Sequence, residues 1–207
     1  MRPAVLRPVA LGLAAAAAVA CNAVPAAAPL ASARVASDME SYTIRRVGLL
    51  PPAGARLTPD QGRDLRSAFF AEFSATSDFE IVSLTETDLE AIPSMEPYRR
   101  GDYRPRTILS IARRYRVDAL LIPTVTDLQS HPPQRLGLSV DLVSTETGQA
   151  LWTSSVQLDA AQQRVRRGLE AWCRRQAGDV TDTTWELTLL SPRRFARFAA
   201  HQLAATL

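Results

Sequence analysis

The residue types that most often carry catalysis or bind metals are scarce in this chain of 207 residues. It has two histidines, His131 and His201, and two cysteines, Cys21 and Cys173. We find no glycine-rich phosphate loop, no Gly-x-Ser-x-Gly, no His-Glu-x-x-His and no Cys-x-x-Cys motif. A zinc site would need additional carboxylate ligands. We therefore expect no metal, no cofactor and no catalytic residue.

The remaining candidates for chemistry have simpler structural interpretations. His131 precedes two prolines and is expected in a loop, and His201 is expected on a helix surface. Cys173 lies on a predicted helix, where a free cysteine acts most often as a small buried apolar residue. Glu86 and Asp88 could form an acid/base pair, but acidic residues at a helix start also complement the helix dipole. An enzyme whose site is assembled from distant residues remains an alternative.

The amino terminus has the pattern of a processing signal. Arg2 and Arg7 precede an apolar run over 9–20, which is shorter than the roughly 20 residues that a membrane span needs. The run ends in Ala-Val-Ala-Cys at 18–21, which resembles the bacterial lipobox with Ala in place of the usual Leu. We predict a lipoprotein signal peptide over 1–20 and lipidation of Cys21, giving an acylated membrane anchor.

The leader also has a second interpretation, and the residues after it have a pattern of their own. The leader could instead be an ordinary secretory signal, cut near Ala20 or among 26–28. Asn22 is not an acidic residue, which in a cell with two membranes favours the outer membrane and a periplasmic domain. Residues 21–41 are rich in Ala, Pro and Ser and are predicted to form a flexible tether. The domain is expected over 42–207.

The net charge of the chain does not indicate a particular class of partner. All 24 basic residues are arginines, and without Arg2 and Arg7 the balance is 22 basic to 21 acidic residues. No nucleic-acid role follows from a net charge so close to zero. Four of the arginines lie in one polar segment over 93–106, together with two tyrosines. Arginine and tyrosine are enriched in protein interfaces, so we predict partner contacts at Arg99, Arg100, Tyr103, Arg104 and Arg106. The alternative is a solvated loop balanced by Glu96 and Asp102.

Hydrophobic periodicity predicts an α/β domain. Residues 42–50 form a predicted strand, and Thr58, Pro59 and Gln61 predict a capped helix whose inner face includes four apolar side chains. A strand over 79–84, a short helix and a helix over 107–116 lead to a strand over 117–127. The inward side chains of the two longer helices are predicted to be Leu65, Phe69, Phe70 and Phe73, then Ile108, Leu109, Ile111, Ala112 and Tyr115.

The centre of the predicted sheet is an antiparallel hairpin. Leu136, Leu138, Val140 and Leu142 alternate with smaller or polar residues, as expected of a strand buried on one face. A link ending in Gly148 is too short for a crossover, so the returning strand should pair with it. Helices are predicted over 160–177 and from Ser191 onward, while 185–190 could form a strand or a helix.

Four stretches in this order resemble a known superfamily: LLPPAG, FEIVSL, ARRYRVDALLIPTV and DLVSTETGQALWTSSV. It is the group of bacterial envelope lipoproteins that includes the TolB amino-terminal domain, the CsgG curli-secretion lipoproteins and the LpoB-type activators of penicillin-binding proteins. The resemblance covers about Ile44 to Leu158, although Pro123 replaces the usual Gly. It implies a mixed sheet with parallel β-α-β units and an antiparallel hairpin, with helices packed on it. The residues that match its signature, all structural in physical terms, are Asp118, Asp141, Thr147, Gly148 and Trp152.

Together these patterns predict a lipid-anchored, non-enzymatic envelope protein that acts as an adaptor or assembly factor and binds an envelope protein partner. A subunit of a CsgG-like outer-membrane secretion channel is an alternative, but it would need extra segments of alternating polarity for membrane hairpins. The sequence leaves the partner and the oligomeric state open, including a homo-oligomer.

Overall fold

The computed structural model describes residues 29–54, 57–90, 98–99, 102–103, 105–177 and 184–207. The predicted leader, Cys21 and much of the 93–106 segment lie outside the described residues. The strands are β1 (Ala31–Val35), β2 (Arg46–Leu49), β3 (Ala53–Gly54), β4 (Glu80–Ser83), β5 (Tyr98–Arg99), β6 (Asp102–Tyr103), β7 (Ala119–Gln129), β8 (Arg135–Ser144) and β9 (Ala150–Asp159). The helices are α1 (Pro59–Thr76), α2 (Glu86–Glu90), α3 (Pro105–Tyr115), α4 (Gln163–Ala177), α5 (Thr184–Leu190) and α6 (Pro192–Ala204).

The main sheet is mixed and has seven strands in the order β1-β9-β8-β7-β2-β4, with β3 also paired to β7. Strand β2 runs parallel to β4 and to β7, whereas β7, β8, β9 and β1 pair antiparallel. Strands β5 and β6 pair only with each other. The predicted α/β class, the parallel β-α-β unit and the β8–β9 hairpin are confirmed.

The helices cover the two faces of the sheet unequally. Helices α1, α4 and α6 pack on one face with alternate side chains of the strands, forming the larger core cluster. On the other face, the described helices α2 and α3 cover the part built from β2, β4 and β7, and their cluster reaches Val143 of β8. The β8, β9 and β1 part of that second face carries polar side chains instead, including Ser139, Asp141, Thr153 and Ser155.

The start of α1 shows how local sequence determines local structure. Thr58 Oγ1 accepts a hydrogen bond from the backbone N–H of Gln61 at 3.3 Å, and Gln61 Oε1 accepts one from the N–H of Thr58 at 2.9 Å. Pro59 occupies the first turn, where its missing N–H costs nothing. This reciprocal pair is the predicted capping box, and it is confirmed.

Two side chains that we predicted to point inward are exposed. Phe70 is 42% exposed and Leu109 is 43% exposed, although Phe69 and Ile108 beside them are buried. Consecutive helical residues differ by about 100° in direction, so Phe70 and Leu109 turn toward solvent where Phe69 and Ile108 face the core. The uncertain segment over 185–190 belongs to helix α5, with Trp185 and Leu189 packed against the larger core cluster.

The prediction of a flexible tether over 21–41 is wrong for part of its length. Ala31–Val35 forms β1, which pairs antiparallel with β9 from Ala31 opposite Val156 to Val35 opposite Trp152. Met39–Ser41 adds a single turn of 3-10 helix. The described domain therefore begins before residue 42, as an edge strand of the sheet. No helix among the described residues is long and apolar enough to cross a membrane.

Trp152 joins the sheet to the helical layer. Its side chain is 1% exposed, and its ring meets Phe73 of α1 edge-on with 5.9 Å between ring centroids. Its indole Nε1 donates a hydrogen bond to the carbonyl oxygen of Thr206 at 3.0 Å, which ties β9 to the chain after α6.

We expect Trp152→Ala to lower the free energy of unfolding by about 3–5 kcal/mol, because it leaves a large cavity at this interface. Urea denaturation would measure the loss, and Phe70→Ala provides a control from the exposed side of α1. A loss below about 1 kcal/mol for Trp152→Ala would contradict its buried position.

Candidate functional site

Asp118 holds two parallel strands in register. Its Oδ2 accepts hydrogen bonds from the backbone N–H groups of Arg45 and Arg46, both at 2.9 Å. Its carbonyl oxygen accepts from Thr145, through the backbone N–H at 3.0 Å and the hydroxyl at 2.7 Å. Asp118 therefore links the start of β7 to β2 and to the end of β8, and its carboxylate serves the fold.

Two other signature residues, Thr147 and Gly148, form the turn between β8 and β9. Gly148 has a φ of 73°, a conformation that side chains disfavour, and Thr147 Oγ1 accepts from the backbone N–H of Gln149 at 3.3 Å. Asp141 lies on β8, buried on the polar part of the second sheet face, between Ile122 of β7 and Thr153 of β9. Asp118, Asp141 and Trp152 therefore lie in different parts of the sheet and do not form one site.

Glu86 and Asp88 are held ionised at the start of α2. The hydroxyl and backbone N–H of Thr85 bond to Asp88 Oδ2 at 2.7 and 2.8 Å, and these bonds lower the pKa of Asp88. Burial raises the pKa of Glu86, but hydrogen bonds from its own backbone and from Arg66 outweigh it, so that pKa is lowered too. An acid/base pair needs one carboxyl with a raised pKa. This pair instead caps a helix.

The histidines and Cys173 are also accounted for by structure. His131 is exposed, and Cys173 is buried with Sγ 3.7 Å from Thr188 Oγ1. Within the described ranges, no group of three or more His, Cys, Asp or Glu residues could hold a metal ion. His201 is not simply a surface residue as predicted, because its Nδ1 lies 3.0 Å from Glu72 Oε2.

Glu72 is a buried carboxylate that the sequence did not single out. It is 4% exposed on α1, and Arg197 of α6 donates to its Oε1 through Nε at 2.6 Å. Its other oxygen faces His201, one turn further along α6. Both partners lie more than 120 residues away in sequence, so only the packing of α6 on α1 reveals the cluster. A buried charge needs such partners, and the cluster joins the two helices.

A polar groove of about 400 Å³ lies where β1 begins. We call it the β1 groove. Hydroxyl and amide groups from β1, β7, β8 and β9 line it, together with one guanidinium from α4. The lining side chains with polar groups are Ser32, Thr126, Ser139, Ser155, Gln157 and Arg164.

Within the described residues, the β1 groove contains a buried hydroxyl that has no hydrogen-bond partner. Ser139 is 1% exposed, and its Oγ makes no hydrogen bond there, whereas Ser32 and Ser155 pair with each other at 3.2 Å. An unsatisfied buried polar group destabilises the folded state by about 1–3 kcal/mol. The hydroxyl is closed off from solvent, so Ser139 carries this cost within the fold.

The arginine- and tyrosine-rich segment is described only in part. Arg99 and Tyr103 belong to the separate β5–β6 pair, with Tyr98 opposite Tyr103 and Arg99 opposite Asp102. Arg106 is exposed in the first turn of α3, while Arg100 and Arg104 lie outside the described residues. The prediction of partner contacts here remains a prediction.

We expect Ser139→Ala to leave the free energy of unfolding unchanged or raise it by about 1 kcal/mol, because it removes an unpartnered hydroxyl. Ser154→Ala is the matched control on β9. Its hydroxyl bonds to the carbonyl oxygen of Ser32 at 3.2 Å and to Thr206 Oγ1 at 2.9 Å, so its loss should destabilise the fold. Equal destabilisation of both variants in urea would show that Ser139 Oγ has a partner of its own.

Comparison with known proteins gives no family for this chain. No family model matches it, and no curated protein matches it. Its fold is similar to the PelC dodecamer from Paraburkholderia phytofirmans at 14% identity and a TM-score of 0.44, over 79% of this chain and 97% of that one. It is similar to lipoprotein GNA1162 from Neisseria meningitidis at 16% identity and a TM-score of 0.44, over 66% and 99% of the two chains. For the LpoB C-terminal domain from Salmonella enterica, the identity is 16% and the TM-score 0.37, over 59% and 91%.

Proposed function

We propose that this chain is a lipid-anchored, non-enzymatic protein of the bacterial cell envelope whose α/β domain binds an envelope protein partner. The predicted leader and the Cys at position 21 support the anchor, with the outer membrane and a periplasmic domain as the proposed location. The arginine- and tyrosine-rich segment supports the binding role. Its contacts are proposed at Arg99, Arg100, Tyr103, Arg104 and Arg106.

The observation that carries the binding role is the separate pairing of β5 with β6. This hairpin forms a two-stranded sheet separate from the seven-stranded one, and it lies in the segment that connects α2 to α3. Segments held by a rigid scaffold without contributing to its sheet are where binding residues tend to occur. Arginine forks bond to carboxylates in two places at once, and tyrosine adds contact area with few rotamers to lose. The segment therefore fits an acidic surface on a protein partner.

A non-enzymatic role is supported by what the described polar groups do. The carboxylates of Glu86 and Asp88 cap α2, that of Asp118 bonds to backbone N–H groups, and that of Glu72 pairs with Arg197 and His201. Each is used by the fold. The β1 groove offers hydroxyls, an amide and a guanidinium, a set that binds a ligand but provides no general base.

The test is a quadruple variant that neutralises the arginines of the segment: Arg99→Gln, Arg100→Gln, Arg104→Gln and Arg106→Gln. After crosslinking in native envelopes, pull-down and mass spectrometry should recover a partner with the parent chain and lose it with the variant. The melting temperature should not change, because the variant removes no side chain of either core cluster.

The matched control removes the same charge from exposed arginines outside the 93–106 segment: Arg63→Gln, Arg113→Gln, Arg116→Gln and Arg193→Gln. We expect this control to retain the partner. Recovery of the same partner by both variants would contradict the proposed contact. Loss of the partner by both would show that net charge, and not this segment, determines binding.

A further inference from the structure

Helix α4 presents a strongly basic outer face. Its inner side is fixed by Val165, Leu169 and Trp172, which are buried in the larger core cluster. Its one acidic residue, Glu170, pairs with Arg174 at 2.5 Å. The helix therefore has a net positive charge directed to solvent, carried by the exposed side chains of Arg164, Arg166, Arg167, Arg174 and Arg175.

Several of these arginines are available to bind an anion. Arg164 and Arg166 use only their Nε groups within the described chain, toward Gln162 Oε1 at 3.1 Å and the carbonyl oxygen of Ala160 at 2.8 Å. Arg167 and Arg175 have no ion pair among the residues that the structure describes. The arginines of α6 differ, because Arg193 faces Asp64 at 3.7 Å and Arg197 is paired with Glu72.

The amino-terminal end of the domain lies against this same helix. Leu30 covers Gly168 so closely that a Cβ at that position would be 2.9 Å from Leu30 Cδ1. Leu30 and Arg164 also line the same β1 groove. Pairing of Ala31 with Val156 then fixes the chain at the sheet edge. The chain thus enters the domain beside the first turns of α4.

The distance from that point to the proposed anchor is short. Cys21 precedes Leu30 by nine residues, which span at most about 32 Å when fully extended. Helix α4 has 15 residues and is itself about 22 Å long. An acyl chain on Cys21 would therefore hold Leu30, and the first turns of α4 beside it, within about 32 Å of the bilayer surface.

We propose that α4 docks on the surface of an anionic phospholipid bilayer, with its arginines contacting the lipid phosphates. This inference rests on the proposed lipid anchor, which would keep the helix close to the headgroups. Guanidinium groups bond to phosphate oxygens in a bidentate manner, and anionic headgroups attract each arginine near the surface. The basic face would add an electrostatic contribution to the attachment that the acyl chains give.

Charge alone does not select α4, because α3 and its end also carry exposed arginines. Arg106, Arg113 and Arg116 lie on the side of the sheet that α3 covers, opposite α4. The point where the chain enters the domain makes the difference, since it lies against α4. The α3 side therefore supplies a control with the same change of charge.

The experiment uses the chain from Asn22 to Leu207 without any acyl group. Every described strand and helix lies between Ala31 and Ala204, so this chain retains them all. Binding is measured by sedimentation with vesicles of phosphatidylcholine and phosphatidylglycerol in a two-to-one mixture, and with vesicles of phosphatidylcholine alone. We expect binding to the mixed vesicles only, weakening as the salt concentration rises.

Arg164→Gln, Arg167→Gln and Arg175→Gln together should weaken that binding on the order of 100-fold, from the contribution of each arginine near an anionic surface. The control, Arg113→Gln, Arg114→Gln and Arg116→Gln, should bind nearly as the parent does. Amide hydrogen exchange of the bound parent should slow in α4 and not in α3, which provides a second reading without any substitution.

Equal losses in the two variants, undiminished binding of the α4 variant, or protection of α3 instead of α4 would each overturn the proposal. The tested chain carries no lipid. Loss of vesicle binding would therefore not contradict the anchor at Cys21. Likewise, an unacylated Cys21 in cells would not contradict binding of α4 to vesicles.

Discussion

The antiparallel pairing of β1 with β9 is the constraint on which the arrangement of this molecule depends. It joins the amino-terminal end of the domain to the strand that carries Trp152, and Trp152 packs between the sheet and α1. Leu30, just before β1, is thereby held over Gly168 of α4. One short edge strand thus determines both where the chain enters the domain and which surface lies beside that entry.

The two sheet faces differ in how they are covered. One face is covered by α1, α4 and α6, whose apolar side chains form most of the core. On the second face, α2 and α3 leave the β8, β9 and β1 part polar, with Ser139 buried there and unpartnered within the described chain. An unpartnered buried hydroxyl destabilises the folded state, so the polar part of the face contributes less to stability than the helix-covered face.

Features determined by neighbouring residues could be predicted from the sequence. The capping box at Thr58, the turn at Gly148 and the β8–β9 hairpin depend on residues a few positions apart, and all are present. Strand β1 was missed although Ala31, Ala33 and Val35 alternate with Ser32 and Arg34, because the strand is short and lies in a segment rich in Ala, Pro and Ser. Its pairing partner lies more than 110 residues away. The Glu72 cluster was missed for the same reason, since α6 supplies both of its partners.

The proposed anchor at Cys21 is the link between this domain and the envelope, and mass spectrometry tests it most directly. Protein purified from membranes would be digested, and the mass of its amino-terminal peptide determined. We expect a peptide that begins at Cys21 and carries fatty acyl chains. A peptide that begins elsewhere, or an unmodified Cys21, would contradict the anchor and with it the short distance between α4 and the bilayer.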